Sequence, residues 1–185
     1  MAQPALVSSI FDQLLADRII WLGSEVRDDN ANEICAKILL LAAEDAKRDI
    51  FLYINSPGGS IPATLAIYDA MQFIRPRVET TCVGQAAATS ALLLAGGAPG
   101  RRSILTHGRV VIHAPAAEGR GTVPDLILEA EEVERVRTML EEILASHTGR
   151  TAAQVREDTE RDLILTPAAA VEYGVVDAVL GNRDG

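Results

Sequence analysis

The sequence predicts an α/β fold, and three observations carry that expectation. Apolar strand-like runs alternate with segments of helical period, and a Pro-Gly-Gly turn ends one run directly ahead of a helix. The core must be built from Ala, Leu, Ile and Val, since 48% of residues are hydrophobic but only 4% are aromatic. At 185 residues, one domain over residues 1–185 can bury a substantial core without disulfides.

The elements follow in chain order. IIWLG (19–23) reads as a strand, and Asp29 to Ala46 as a helix with Ile34, Ile38 and Leu41 on one face. DIFLYINSPGG (49–59) is a buried strand running into its glycine turn. Ile61 to Ile74 is the next helix, with Pro76 just past its end. VETTCVG (78–84) is a strand feeding GQAAATSALLL (84–94), which reads like the turn that lifts a serine nucleophile onto the start of a helix. RSIL (102–105) and RVVIH (109–113) are further strands, and AAEGRG (116–121) is the most flexible stretch. From Pro124 to His147 the apolar residues Leu126, Ala130, Val133, Leu140, Ile143 and Leu144 keep helical spacing, for a helix of roughly 36 Å. Asp125, Glu129, Glu131, Glu132, Glu134, Glu141 and Glu142 cover its other face. Thr166-Pro167 opens a short helix in N-cap, first-turn order, and VVDAVL (175–180) closes the chain as a strand. Repeated strand–helix units predict an α/β fold with right-handed crossovers.

Composition excludes several function classes. A net charge of −9 argues against nucleic acid, whose phosphates need clustered Lys and Arg. Cys35 and Cys82 lie in apolar runs without a C-x-x-C pair, as buried free thiols of a reducing compartment do. The N-terminus lacks a secretory pattern, and the longest apolar stretch, Ala86 to Ala98, is shorter than the roughly 20 residues of a membrane span. A cytoplasmic protein with no membrane contact is expected. Neither a P-loop nor G-x-G-x-x-G occurs, so ATP-driven work falls to a partner, and no metal or cofactor is expected.

Few residues can carry chemistry. In 55-NSPGGS-60 the turn precedes a helix, and its free N–H groups could face an anion or a polarised carbonyl; a tight turn needs the same glycines for backbone reasons alone. Of three histidines, His147 suits the charged C-terminal end of the long helix, and His107 sits in an exposed turn. His113 ends the apolar run VVI, which puts an imidazole at the tip of a buried strand as a general base or as a satisfied core histidine. Asp162, ahead of LIL, is either a solvated charge or the carboxylate that orients that imidazole.

Together, LYINSPGG, GQAA-x-x-x-A-LLLA-G, RVVIH-x-P, HTG, DTERD and EYGVVD resemble, in order, the proteolytic subunit of the Clp protease, from about Phe11 to Leu180. The resemblance implies a crotonase-like fold of repeated ββα units with a protruding handle helix, here about 124–148. It implies heptameric rings, homomeric or mixed, stacked as a tetradecamer around a chamber that takes unfolded proteins or peptides. An AAA+ unfoldase would dock outside. Position by position, it makes His113 the base, Asp162 its orienting residue, and Gly59 and Thr89 the backbone donors of an oxyanion hole. Glu160 and Arg161 become the sensors of ring–ring contact. Phe51, Tyr53, Phe73, Val83, Ser103, Leu105 and Leu180 become the unfoldase-docking cleft.

The family's serine falls on Ala88, and no neighbouring hydroxyl replaces it: Thr89 is rotated about 100° and Ser90 about 200° round a helix. The chain as written is therefore expected to be inactive. Intact partner positions favour a serine-to-alanine replacement; the alternative is a natural non-catalytic subunit that pairs with an active paralogue. Three departures accompany Ala88. Ala114-Pro115-Ala116-Ala117-Glu118 replaces the family's Gln-Pro-Leu-Gly-Gly, which puts peptide docking in question. Thr81 and Ser103 stand where larger apolar side chains are usual, and the segment before Phe11 is short for an axial pore hairpin. These departures imply weak unfoldase binding. An acyl-CoA hydratase or isomerase of the crotonase superfamily would also use the Gly-Gly donors, but it leaves His113, Asp162 and the acidic helix unexplained.

Overall fold

The computed structural model describes residues 4–115 and 121–181, and side chains from residue 10 onward. The 116–120 stretch expected to be flexible lies outside the described residues, as do positions 116–118 of the altered segment.

A seven-stranded sheet organises the described residues. Strand β1 (Ile19–Leu22) pairs in parallel with β2 (Ile50–Ser56), β2 with β3 (Val78–Ala87), and β3 with β4 (Arg102–Leu105). The second half of β3 changes partner and pairs in parallel with β5 (Arg109–Ile112). A register shift between Ile54 and Ser56, beside Gly84 at φ 85°, marks that change. The chain finishes the sheet with β6 (Leu163–Leu165), antiparallel to β5, and β7 (Ala178–Leu180), parallel to β4.

Burial alternates along β2 and the first part of β3. One face, with Ile50, Leu52, Ile54, Thr80 and Cys82, is fully buried. That face meets helices α2 (Asp28–Glu44), α3 (Ile61–Phe73) and α4 (Thr89–Ala95) in one core of Ala, Leu, Ile and Val. Helix α2 buries Ala31, Ile34, Ile38 and Leu41, the stripe its spacing predicts. Ser60 caps α3 through the Ala63 N–H, with Pro62 in the first turn. The long α5 (Val123–Thr148) buries only Glu141 and Leu144, and its N-terminal half stands exposed.

Elsewhere the boundaries depart from the sequence reading for local reasons. Helices α1 (Pro4–Ala16) and α6 (Ala152–Asp158) add to the elements that the sequence predicts; α1 covers the segment before Phe11 from Pro4 on. Strand β3 runs past Gly84 to Ala87, because Gln85 to Ala87 find a new partner in β5. The final strand is only Ala178–Leu180: Val175 and Val176 are buried in the turn after α7 (Pro167–Tyr173). Asp177 is held by Arg102, whose guanidinium binds both carboxylate oxygens at 2.6 and 3.0 Å and the His147 carbonyl at 2.8 Å. This part-buried pair ties β4, the β7 entrance and the end of α5 together, and the Arg102 bonds hold the Asp177 carboxyl below its usual range.

Candidate active site

The two parallel strands β3 and β5 end side by side. Gln85, Ala86 and Ala87 pair with Arg109, Val110 and Val111, and the Ala88 N–H donates to the Val111 carbonyl at 2.8 Å. Helix α4 begins at the next residue. The reversal is made on Ala88 alone, with φ 50° and ψ −124°, a backbone state that side-chain-bearing residues seldom take. A strained residue between strand and helix is the geometry of a nucleophile elbow, and this elbow carries a methyl group.

Gly58 presses against that elbow: at φ 92°, a Cβ on it would stand 2.7 Å from the Ala87 carbonyl oxygen and 2.8 Å from the Ala88 Cβ. Gly59 bridges Val26 so closely that a side chain there would collide with the Val26 backbone. The glycine turn is thus needed by packing, and it also sets the Gly59 N–H beside position 88. That N–H is not open. It donates to Thr89 Oγ1 at 3.1 Å, in contrast to the free donor the sequence reading assumed.

His113 follows the last residue of β5 and is exposed. The antiparallel pairs Val110–Leu165, Val111–Ile164 and Ile112–Leu163 stop one residue before His113 and one after Asp162, itself exposed at the entrance of β6; the next backbone bond, from the Ala114 N–H to the Thr159 carbonyl at 3.3 Å, leaves that register. The two residues thus lie on adjoining strand ends, and no side-chain hydrogen bond joins them among the described residues. Instead Nδ1 of His113 lies 2.9 Å from the Ala114 carbonyl. A carbonyl only accepts, so in the neutral ring Nδ1 carries the proton and Nε2 is the basic nitrogen. This is the tautomer a general base acting through Nε2 requires.

Ala88, Gly59, Thr89 and His113 line one cavity of about 270 Å³. Its walls are mostly apolar, from Ile61, Leu92, Ile112, Leu140, Leu144 and Val155, with Arg137 and Glu141 at one side. Such a cavity suits one apolar side chain of an extended peptide. Ser90 faces away from it: its buried hydroxyl donates to the Ser56 and Ala87 carbonyls at 2.9 and 2.7 Å.

The sequence reading placed Glu141 on the solvated face of α5, whereas Glu141 is only 5% exposed. Its two oxygens accept from Arg137 Nε and Arg156 Nε, each at 2.7 Å, and Arg156 also pairs with Glu134. The Arg137–Glu141 spacing was visible as an i,i+4 pair, but the link to α6 is tertiary and left no local signal. His147 is another correction. It is half-buried, with Nε2 2.8 Å from the Tyr68 hydroxyl, and burial, then the charge of Arg102, lower its pKa below 6.5. Desolvation and a neighbouring cation outweigh the helix terminus that would favour a charged ring. His107 is exposed. Cys82 is buried and its thiol is pushed up to about 12; Cys35 is part-buried, and burial raises its thiol too.

Glu160 and Arg161 are exposed in the bend between α6 and β6, and neither forms an ion pair among the described residues. Phe51, Tyr53, Thr81, Val83, Ser103, Leu105 and Leu180 share the open face of the sheet through the register Tyr53–Thr81–Ser103 and Leu105–Leu180. Thr81 and Ser103 satisfy each other there, Oγ to Oγ at 2.9 Å. Phe73 stands apart, 83% exposed at the end of α3. No metal-binding group of side chains occurs among the described residues, and no described helix is long and apolar enough to cross a membrane.

Comparison with known families matches residues 3–183 to the Clp protease. The chain belongs to the Clp protease family. It is 55% identical over 174 residues to the ATP-dependent Clp protease proteolytic subunit 1 of Corynebacterium diphtheriae, covering 94% of this chain and 83% of that one. Subunit 1 of Nocardia farcinica is 51% identical over 177 residues, with 96% and 90% covered, and subunit 4 of Rhodococcus jostii 50% over 171 residues, with 92% and 88% covered. The family accounts for the mixed α/β sheet and identifies the chain as a Clp protease subunit.

Proposed function

We propose that this chain is a ring subunit of an ATP-dependent Clp-type serine protease and does not cleave peptides itself. The observation that carries this reading is the strained elbow at Ala88, facing the same cavity as His113. A peptide carbonyl entering that cavity meets the Thr89 N–H and, where the Thr89 hydroxyl gives way, the Gly59 N–H, with His113 Nε2 near as base and Asp162 on the adjoining strand to orient it. Position 88 offers no electron pair to attack the carbonyl carbon, so the site can hold a peptide and forms no acyl-enzyme. Loss of the nucleophile from such a system lowers turnover on the order of a millionfold.

The assembly that fits is a tetradecamer of two stacked heptameric rings in the cytoplasm, fed with unfolded protein by an AAA+ unfoldase. The exposed apolar half of α5 supports stacking. The open sheet face supports docking of apolar loops, and the hydroxyl pair of Thr81 and Ser103 makes that docking weak. Two origins of Ala88 give the same chemistry, a serine-to-alanine replacement or a natural non-catalytic subunit beside an active paralogue. The Thr89 hydroxyl on the Gly59 N–H favours the second, because a change at position 88 alone does not account for it. The relatives' names, numbering subunits 1 to 4, also fit mixed rings.

Ala88→Ser tests the reading. With the other site positions present, the variant gains labelling by a fluorophosphonate and cleavage of short peptides, alone or mixed with a paralogous subunit. A variant that neither labels nor cleaves in any of these settings refutes the assignment of position 88.

A further inference from the structure

Thr89 does more than present a backbone N–H. Its hydroxyl oxygen accepts the Gly59 N–H at 3.1 Å, lies 2.9 Å from Thr64 Oγ1 and reaches the Gly59 carbonyl at 3.5 Å. Thr64 is 1% exposed and anchored to the Ser60 carbonyl at 2.9 Å, so it holds the Thr89 hydroxyl from the buried side. Thr89 is β-branched and has few rotamers; freeing the N–H means turning the whole side chain away from two partners. Gly59, Ala88 and Thr89 line the same cavity, so the occupied N–H is one that an oxygen beside position 88 would use.

We propose that Thr89 is a gate on this oxygen-binding pocket: its hydroxyl occupies the Gly59 N–H in the resting site, and a peptide carbonyl gains that donor only by displacing it. The proposal rests on the reading of position 88 as the nucleophile's place. Thr89 is on this account a positioning residue whose side chain opposes oxyanion binding. Substrates with strong contacts elsewhere in the groove displace it, and weakly bound ones do not.

The test uses the full chain carrying Ala88→Ser, compared with the same chain carrying Thr89→Ala or Thr89→Ser in addition. The probe is an alkyl fluorophosphonate, whose phosphoryl oxygen must take the same N–H. Removing one competing hydrogen bond raises the second-order labelling rate about tenfold in the Thr89→Ala chain. Thr89→Ser, which keeps a hydroxyl, returns the slow rate. A purely structural role for Thr89 predicts the opposite order, with Thr89→Ala equal or slower, and that result overturns the gate. A chain with Ala88→Ser that never labels, with either residue at 89, overturns the reading of position 88 and the gate with it. Hydrogen exchange of the unlabelled Ala88 chain reads the bond separately. Thr89→Ala speeds exchange over residues 57–60 and leaves β2 unchanged, and equal protection in both chains refutes the occupied N–H.

Discussion

Replacing Ala88 with glycine should make the protein more stable, although glycine usually does the reverse. The chain turns at Ala88 with φ 50° and ψ −124°, a region that costs a residue with a Cβ about 1–3 kcal/mol. Glycine takes such angles freely. Against that gain stand about 0.4–1 kcal/mol for the greater freedom of glycine in the unfolded chain. A part-buried methyl adds about half of the roughly 0.8 kcal/mol that a fully buried one contributes. The terms leave a net stabilisation of about 1 kcal/mol, or a rise of about 2–4 °C in Tm for a chain of this size. Ala87→Gly is the control. One residue earlier, inside β3 and with no positive φ, it should lose about 0.5–1 kcal/mol. Both are measured by urea unfolding at one fixed protein concentration, since assembly shifts apparent stability. Opposite signs at adjacent alanines support a strained elbow. A loss at both positions would show that Ala88 is not held against strain, and the elbow reading would fall with it.

Two further outcomes are expected from groups away from the elbow. His147 has a folded pKa lowered below 6.5 by burial and by Arg102, so the unfolded chain binds its proton first, and stability falls as pH drops from about 6.5 through the folded value; His147→Gln should flatten that part of a stability–pH curve, and an unchanged slope refutes the assignment. Arg161→Ala should shift double rings toward single rings in analytical ultracentrifugation, because Arg161 is exposed with no partner in its own chain among the described residues; an unchanged mass counts against its place at the ring contact.

The sheet was legible because its signals are local. Runs such as IFLYIN and RVVI announce buried strands, and glycine and proline mark their ends, so RSIL was found with its observed bounds. The nearness of His113 and Asp162 depends on the antiparallel register of β5 and β6, which no local pattern specifies; the residues alone left Asp162 open between a solvated charge and an orienting carboxylate, and resemblance to a family made the choice. What the sequence concealed lies where polar groups are satisfied across distance. Glu141 looked like one more carboxylate on an acidic face, and only α6 packing against α5 turns it inward to Arg156. His147 looked like a charge at a helix end until Tyr68 and Arg102 closed round it. The Thr89 hydroxyl looked too far round the helix to attack a carbonyl, and it is. The same rotation that disqualifies its hydroxyl as a nucleophile delivers it to the Gly59 N–H, so the residue beside the proposed nucleophile position also occupies a donor that a bound carbonyl oxygen would use. On the proposed reading a hydroxyl gained at 88 starts activity in this subunit, and removing the one at 89 raises it.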